Sequence, residues 1–308
     1  MPFAHLSVWH GSCYVPKRGL VGLQVANPPE RVGNMGIVIE SYAFVGVATR
    51  ATGPTAQVWL PPGFTLTGGG AYDMGRGTSN TLTACYPTRN HAGVFNGWTA
   101  AGRDFGLADP VPLAVYAVGI RITRDGVPVK VEQQVFSATS ALVSEPGVSV
   151  KLGAGWIGTG GGAQDNYATP VNGNMLTASY PLIGADGKIC GWSASGRDHD
   201  AADQARVTAF VIGIRTGPDV ALEAHIVSNT SLLTGYPSAL VAAPHGNAVV
   251  AGGGALVGEN GRGTMLSASC PIISSQDGRL TGWFAARKVH KSAPPSGITA
   301  YGVMLEAA

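Results

Sequence analysis

The chain has 308 residues, of which only 12% are charged and 45% are hydrophobic, with 45 glycines and 20 prolines. A formal net charge of +2 gives no electrostatic basis for binding nucleic acid or an anionic membrane, so we expect no nucleic-acid partner. No segment has the roughly 18 consecutive apolar residues that a membrane-spanning helix needs, so we also expect no membrane insertion.

Residues 1–33 precede all the repeated motifs described below. They contain neither a basic n-region nor a continuous apolar stretch, so no secretory signal peptide is predicted. We therefore expect cytoplasmic synthesis, with placement on a virion or cell surface after release by lysis. Three prolines, Pro16, Pro28 and Pro29, lead us to interpret this segment as an N-terminal arm that reaches a neighbouring domain or subunit.

From residue 34 onward one pattern occurs three times. Each copy contains Gly-Gly-Gly-Ala, then Leu-x-Ala-x-x-Pro, then Gly-Trp, and it ends in an apolar run. The triplets begin 92 residues apart, at Gly68, Gly160 and Gly252. A unit of about 90 residues is large enough to bury a core of its own. The repeat therefore predicts three domains, at residues 34–125, 126–217 and 218–308.

Strand-like segments dominate every repeat. Short alternating or β-branched stretches are separated by Gly, Pro, Asn and Asp, and no window has a helical apolar period. Because parallel strands need long crossover connections, the strands are expected to be antiparallel. We predict an all-β chain of three tandem β-sandwich-like repeat domains.

The glycine triplets and the cysteines both favour structural roles. The triplets lack the strand-to-helix context of phosphate-binding loops, so they predict close packing of chain segments. Cys13, Cys85, Cys190 and Cys270 occupy non-equivalent positions in the repeats, which indicates free thiols instead of a shared disulfide framework. No Cys/His cluster has zinc-ligand spacing, and we expect no cofactor and no metal.

The most polar stretch of each repeat follows its Gly-Trp dipeptide. An aromatic ring beside Arg, Asp and His side chains suits a glycan or an anion. The identical register of the tryptophans favours the alternative that they anchor the core. The candidate ligand-binding residues are Trp98, Arg103 and Asp104 in the first repeat, Trp192, Arg197, Asp198 and His199 in the second, and Trp283, Lys288 and His290 in the third.

A catalytic alternative places a hydrolase site in the second repeat. Ser193 or Ser195, together with Asp198 and His199, supplies the residue types of a nucleophilic triad. The Gly-x-Ser-x-Gly nucleophile elbow is absent, because Ser195 stands where its second glycine belongs. We therefore assign no catalytic residue and expect a protein that is not an enzyme.

Several motifs together resemble a known β-repeat. They are Leu-Pro-Pro-Gly-Phe-Thr-Leu-Thr-Gly-Gly-Gly-Ala at 60–71, Tyr86-Pro87, Gly97-Trp98, Ala-Val-Tyr-Ala-Val-Gly-Ile at 114–120, and Arg197-Asp198-His199. This set resembles the Gly-Gly-Gly / Tyr-Pro / Gly-Trp repeat of uncharacterised actinobacterial and phage-associated surface proteins. The resemblance covers about residues 34–306 and implies a secreted or surface-associated β domain. The cysteine pair that many such proteins carry is missing.

Together these observations give one leading hypothesis and two alternatives. The leading hypothesis is a non-catalytic surface or virion-type structural and attachment protein that self-associates into a homo-oligomer or a larger assembly. Its repeated loops would bind a cell-surface glycan, because multiplying weak sites raises avidity. The alternatives are a cytoplasmic lectin-like carbohydrate-binding protein and a hydrolase with a single site in the second repeat.

Overall fold

The computed structural model describes residues 36–75, 80–104, 108–167, 174–198, 204–244, 246–258, 264–289 and 295–308. All 19 named elements in these ranges are β-strands. Every strand pairing among them is antiparallel. The predicted all-β antiparallel class is therefore confirmed. The predicted N-terminal arm at residues 1–33 lies outside the described residues.

Each repeat contributes six strands, and the short strand β7 lies between the first and second sets. The first set is β1 (Ile37–Ala51), β2 (Thr55–Trp59), β3 (Thr65–Asp73), β4 (Thr81–Arg89), β5 (Phe95–Arg103) and β6 (Val111–Arg124), followed by β7 (Val127–Pro128). The second set is β8 (Glu132–Thr139), β9 (Gly147–Lys151), β10 (Ile157–Tyr167), β11 (Asn174–Ile183), β12 (Ile189–Asp198) and β13 (Ala205–Arg215). The third set is β14 (Leu222–Thr230), β15 (Ser238–Ala242), β16 (Val249–Val257), β17 (Thr264–Ile273), β18 (Leu280–Val289) and β19 (Ile298–Ala307).

The strands of one repeat are divided between two sheets. Sheet A has the order β1-β6-β3-β17-β18-β15, with β7 beside β6. Sheet B has the order β2-β5-β4-β10-β13-β8, and sheet C has the order β14-β19-β16-β11-β12-β9. Each sheet therefore joins three strands of one repeat to three strands of another. The predicted boundaries therefore separate sequence repeats. Each repeat contributes strands to two sheets and shares each of these sheets with a different repeat, so the repeats are interlocked.

The first and second strands of a repeat meet where two sheets meet. At one such corner, a Cβ added to Gly46 on β1 would lie 2.7 Å from the carbonyl oxygen of Gln57 on β2. Each repeat thus bends from one sheet into the next, and three repeats close a three-sided prism. Its main hydrophobic core contains residues from all three sheets.

The first glycine of each triplet explains how closely the sheets approach. A Cβ on Gly68 would lie 2.8 Å from the Cα of Gly252, and one on Gly160 would lie 3.0 Å from the Cα of Gly68. A Cβ on Gly252 would lie 3.1 Å from the Cα of Gly160. These contacts form a closed cycle around a pseudo-threefold axis. Real Cβ atoms are very rarely that close to backbone, so a larger residue would force the sheets apart.

The second and third glycines pack against side chains and a neighbouring strand. A Cβ on Gly69 would lie 2.2 Å from Cδ2 of Trp98, so the second glycine makes room for the indole ring. Gly162 pairs with Phe210 on β13 and lies close to Tyr86 on β4. The rings of Tyr86 and Phe210 stack across this glycine, with centroids 5.6 Å apart. The prediction that the triplets serve close packing is confirmed.

Candidate functional site

The three Gly-Trp tryptophans are fully buried in the core of the prism. Each indole N–H donates a hydrogen bond to the adjacent strand, from Trp98 to Cys85 Sγ at 3.2 Å, from Trp192 to Ser179 Oγ at 2.9 Å and from Trp283 to Ser269 Oγ at 3.0 Å. A ring without accessible surface cannot stack on a sugar. We therefore correct their assignment as ligand-binding residues, because they anchor the core.

The charged candidates that follow the tryptophans lie in three different sheets. Arg103 ends β5 in sheet B, Asp198 ends β12 in sheet C, and Lys288 is the penultimate residue of β18 in sheet A. No strand pairing brings these three residues together. His199 and His290, which completed the predicted constellation, lie outside the described residues.

Two of the candidates brace loops at the strand ends. The Asp104 carboxylate accepts a hydrogen bond of 2.7 Å from the backbone N–H of Asp109. Arg197 Nε lies 3.2 Å from Glu145 Oε1, and both side chains are partly exposed. An exposed ion pair of this kind contributes about 0–1 kcal/mol to stability. These contacts hold the connections between strands in place.

Lys288 forms a buried ion pair instead of facing solvent. Its Nζ lies 2.7 Å from Asp73 Oδ2, and the two side chains are 10% and 0% exposed. Burial raises the pKa of Asp73, while the Lys288 ammonium and the Gly75 backbone N–H, which donates at 2.8 Å, act in the opposite direction. The pair joins the first repeat to the third. We therefore correct Lys288 from a ligand-binding to a structural residue.

The proposed hydrolase serines take part in other hydrogen bonds. Ser193 Oγ accepts one of 3.2 Å from Ser149, and Ser195 shares one of 2.8 Å with Thr177. The histidine that the triad requires, His199, falls outside the described residues. Within the described part of the chain, no group of three or more His, Cys, Asp or Glu side chains is placed to hold a metal ion.

The outer faces of sheets B and C carry ladders of polar side chains. On sheet B, Gln57 Nε2 donates to Thr99 Oγ1 at 2.9 Å, and Thr139 bonds Thr208 at 2.8 Å. On sheet C the equivalent pairs are Ser149 with Ser193 at 3.2 Å and Thr230 with Thr299 at 2.8 Å. Cross-strand hydroxyl pairs suit a solvated sheet face. These two faces therefore satisfy the usual pattern of a sheet with one side in water.

Sheet A has apolar residues at the same places in the register. At five positions of the register, sheet A has an apolar residue where sheets B and C both have a polar one. In the order sheet A, sheet B, sheet C, these are Val45, Ser137 and Ser228; Val47, Thr139 and Thr230; Ala114, Thr208 and Thr299; Phe284, Thr99 and Ser193; and Leu240, Gln57 and Ser149. We call the sheet A set, together with Tyr72, the sheet A patch. It extends from edge strand β1 to edge strand β15.

The centre of the sheet A patch belongs to a second hydrophobic cluster, separate from the main core. The buried residues of this cluster are Ala114, Tyr116 and Cys270, and the patch residues Val45, Tyr72 and Phe284 pack against them. The rings of Tyr72 and Phe284 meet edge to face, with centroids 6.4 Å apart. At its two edges, Val47 is 50% exposed and Leu240 is 45% exposed. The patch therefore has a packed centre and open apolar margins.

Sequence reasoning missed this surface because each of its residues is an ordinary strand former. Val47 or Leu240 alone is indistinguishable from a core residue in a strand pattern. A signal does exist, since aligning the three repeats shows the outward-facing positions changing from Ser, Thr or Gln to apolar residues. Recognising it requires knowing that β15 and β18 of the third repeat share a sheet with β1 of the first.

Comparisons with known proteins do not place the chain in a family. No protein-family model matches it, and no curated protein sequence matches it at a significant level. In the described residues, no helix is long and apolar enough to cross a membrane.

Proposed function

We propose that this protein is a non-catalytic structural and attachment protein of the surface or virion type, and that it self-associates through the sheet A patch. The observation that carries the proposal is the replacement of polar residues by apolar ones at five outward positions of one sheet in three. The fold tolerates Ser, Thr and Gln at these positions in sheets B and C, so stability does not require the apolar side chains. Val47 and Leu240 are the exposed members of this set, and exposed apolar surface that the fold does not require is typical of an interaction site.

A second copy of the same chain is the occupant that we propose for the patch. A single self-complementary apolar face is sufficient for an isologous twofold contact, whereas a filament needs two different complementary surfaces. Only one of the three sheets has apolar residues at all five positions in the described residues. The expected assembly is therefore a closed dimer.

We assign attachment to the loops that connect the strands. The buried tryptophans supply no platform for a sugar, so any glycan contact has to come from exposed side chains. Loop 231–237 of the third repeat presents Leu232 and Tyr236 to solvent, at 84% and 66% exposure. The equivalent loop of the second repeat exposes Leu142 and Val143. Both loops therefore offer apolar side chains for contact with an attachment partner.

Light scattering over a wide concentration range tests self-association. We expect a particle of about twice the 31.4 kDa chain mass for the wild type. The double variant Val47→Thr, Leu240→Gln copies sheet B at two positions, and it should lower the mass to that of one chain. A matched control, Thr139→Ser with Ser149→Thr, changes equivalent positions on the other sheets without altering their polarity and should leave the mass unchanged.

Two results would overturn the proposal. One is a wild-type chain that stays at 31.4 kDa at every concentration. The other is an assembly whose mass the Val47→Thr, Leu240→Gln variant does not change, although its circular dichroism shows a folded protein. In the second case the contact between copies would lie elsewhere on the molecule.

A further inference from the structure

A buried arginine in the third repeat has N–H groups that donate to no acceptor among the described residues. Arg287 on β18 is 2% exposed, and its Nη2 donates to the carbonyl oxygen of Thr234 at 3.2 Å. Its Nε and Nη1 have no hydrogen-bond partner among the described residues. A guanidinium has one N–H on Nε and two on Nη1, so three donors of a permanent cation are left over. Leaving buried donors unpaired costs free energy, and such groups are rare in folded proteins.

A second buried polar atom without a described partner belongs to Ser296. Ser296, just before β19, is 1% exposed, and its Oγ has no hydrogen-bond partner in the described part of the chain. The backbone N–H of Ser296 donates to the same Thr234 carbonyl at 3.4 Å. One carbonyl oxygen of loop 231–237 therefore accepts hydrogen bonds from both the Arg287 guanidinium and the Ser296 backbone N–H.

The other repeats do not contain this pair of donors. Gly102 and Gly196 occupy the position of Arg287, and Val111 and Ala205 occupy that of Ser296. The third repeat therefore acquired two donors at places where its sister repeats are apolar or have no side chain. Packing of the shared fold does not explain them, because the fold forms twice without them.

The space beside this position is also filled differently in the second repeat. A Cβ on Gly196 would lie 2.4 Å from Asn174 Oδ1 and 3.3 Å from Asp165 Oδ2, so an amide oxygen and a carboxylate lie there. In the third repeat the residue equivalent to Asp165 is Val257. The described carboxylate on the adjoining strand end, Asp73, is engaged by Lys288. The arginine therefore lacks the counter-charge that its location would otherwise supply.

The electrostatic balance of the site calls for an anion. Burial lowers the pKa of the Arg287 guanidinium, yet an arginine remains protonated at neutral pH because its ordinary value is so high. A buried charge is normally paired, and a single positive charge is neutralised by a monoanion. A phosphate dianion would leave excess negative charge in the same place. A planar carboxylate matches both the charge and the geometry of a guanidinium.

We propose that Arg287 and Ser296 bind the carboxylate of a small monocarboxylic acid with an apolar body. Thr234, whose carbonyl oxygen accepts from both residues, is exposed, so Arg287 and Ser296 lie directly beneath a surface loop. Leu232, Leu233 and Tyr236 on the same loop are 84%, 64% and 66% exposed. They provide apolar contact for the rest of the acid. This site is independent of the sheet A patch and of self-association.

Calorimetric titration of the full chain with hexanoate, 1-hexanol and inorganic phosphate tests the proposal. Hexanoate should saturate one site per chain. Hexanol has the apolar body without the charge, and phosphate has charge without the body. Hexanol should bind at least about tenfold more weakly, which is the loss expected for a charged hydrogen bond. Phosphate should also bind more weakly than hexanoate, because it makes no apolar contact. Equal binding of hexanoate and hexanol, or no saturable binding of hexanoate, overturns the proposal and leaves a buried water as the partner of Arg287.

Three variants locate the site. Arg287→Gly restores the residue of the sister repeats and should abolish hexanoate binding, while Ser296→Ala copies Ala205 and should weaken it several-fold. Arg279→Gly, which removes an exposed arginine of the same repeat, is the matched control and should have no effect. Binding that survives both Arg287→Gly and Ser296→Ala would contradict the assignment. We expect Ser296→Ala to fold, because alanine occupies the equivalent position in the second repeat.

Discussion

Sheets A and B have the same strand order and the same inner face, but they present different chemistry to solvent. Inside, each sheet contributes one tryptophan whose indole N–H is bonded to the neighbouring strand. Outside, Gln57 and Thr99 form a hydrogen bond on sheet B where Leu240 and Phe284 lie side by side on sheet A. The inner faces are held alike because they pack around one axis. The outer faces do not take part in that packing, so their side chains can differ from sheet to sheet.

The strand ends differ between sheets in a similar way. On sheet A, the Lys288 ammonium is buried against Asp73. On sheet C, Arg197 occupies the equivalent position and pairs with Glu145 near solvent. The same charge thus serves as a buried link between repeats in one case and as a surface ion pair in the other. Four predictions test how far these likenesses and differences extend.

The largest expected effect concerns the shared inner faces. Trp192→Ala should lower the free energy of unfolding by about 3–5 kcal/mol, because it removes a fully buried aromatic side chain and leaves a cavity. Trp98→Ala and Trp283→Ala should cost similar amounts if the three inner faces are equivalent. Urea unfolding followed by circular dichroism measures all three. A loss below about 1 kcal/mol at any one site would show that the inner faces are not alike.

The second prediction compares the two ion pairs. Lys288→Met leaves the Asp73 carboxylate buried without its partner, which should cost about 3–5 kcal/mol at pH 7. Arg197→Met, which breaks the more exposed pair, should cost less than about 1 kcal/mol. Thermal or urea unfolding of both variants measures the difference. Equal costs would contradict the distinction between a buried link and a surface pair.

The penalty for Lys288→Met should also depend on pH. Without the ammonium, the charge and hydrogen bond of Lys288 no longer oppose burial, so the pKa of Asp73 in the folded state rises further above the unfolded value. In the interval between those two values the folded chain binds more protons than the unfolded chain, so stability falls as pH rises. The penalty should therefore be smaller near pH 4 than at pH 7. A penalty that is constant over this range would mean that the Asp73 carboxyl is not buried in the variant.

The smallest expected effect concerns Cys85, which replaces the serine of the other two repeats as the acceptor for its tryptophan. Cys85→Ser should change stability by less than about 1 kcal/mol, because it exchanges one acceptor for another. Burial raises the pKa of the Cys85 thiol to about 12, so at pH 8 it should not react with a thiol reagent. Exposed Cys190 should react readily. Labelling of Cys85 in the folded protein would contradict its burial.

Sequence patterns predicted the strand content and the number of repeats, because strand periodicity and turn residues are local properties of the chain. They also supported a packing role for the glycine triplets. They did not predict that β4 and β10 would share a sheet, since two strands of different repeats carry no local mark of their pairing. The burial of the three tryptophans could not be decided from sequence either, because the same position in every repeat fits both an exposed row of rings and a core.

The sequence by itself determined that this is an all-β chain built from three copies of one pattern. Only the tertiary structure decided which side chains face solvent, because the sheets form from strands of two repeats each. That division places Val47 of the first repeat on the same face as Leu240 of the third. It also places Arg287 and Ser296 on one carbonyl oxygen. Such neighbours depend on long-range packing, which no window of sequence contains.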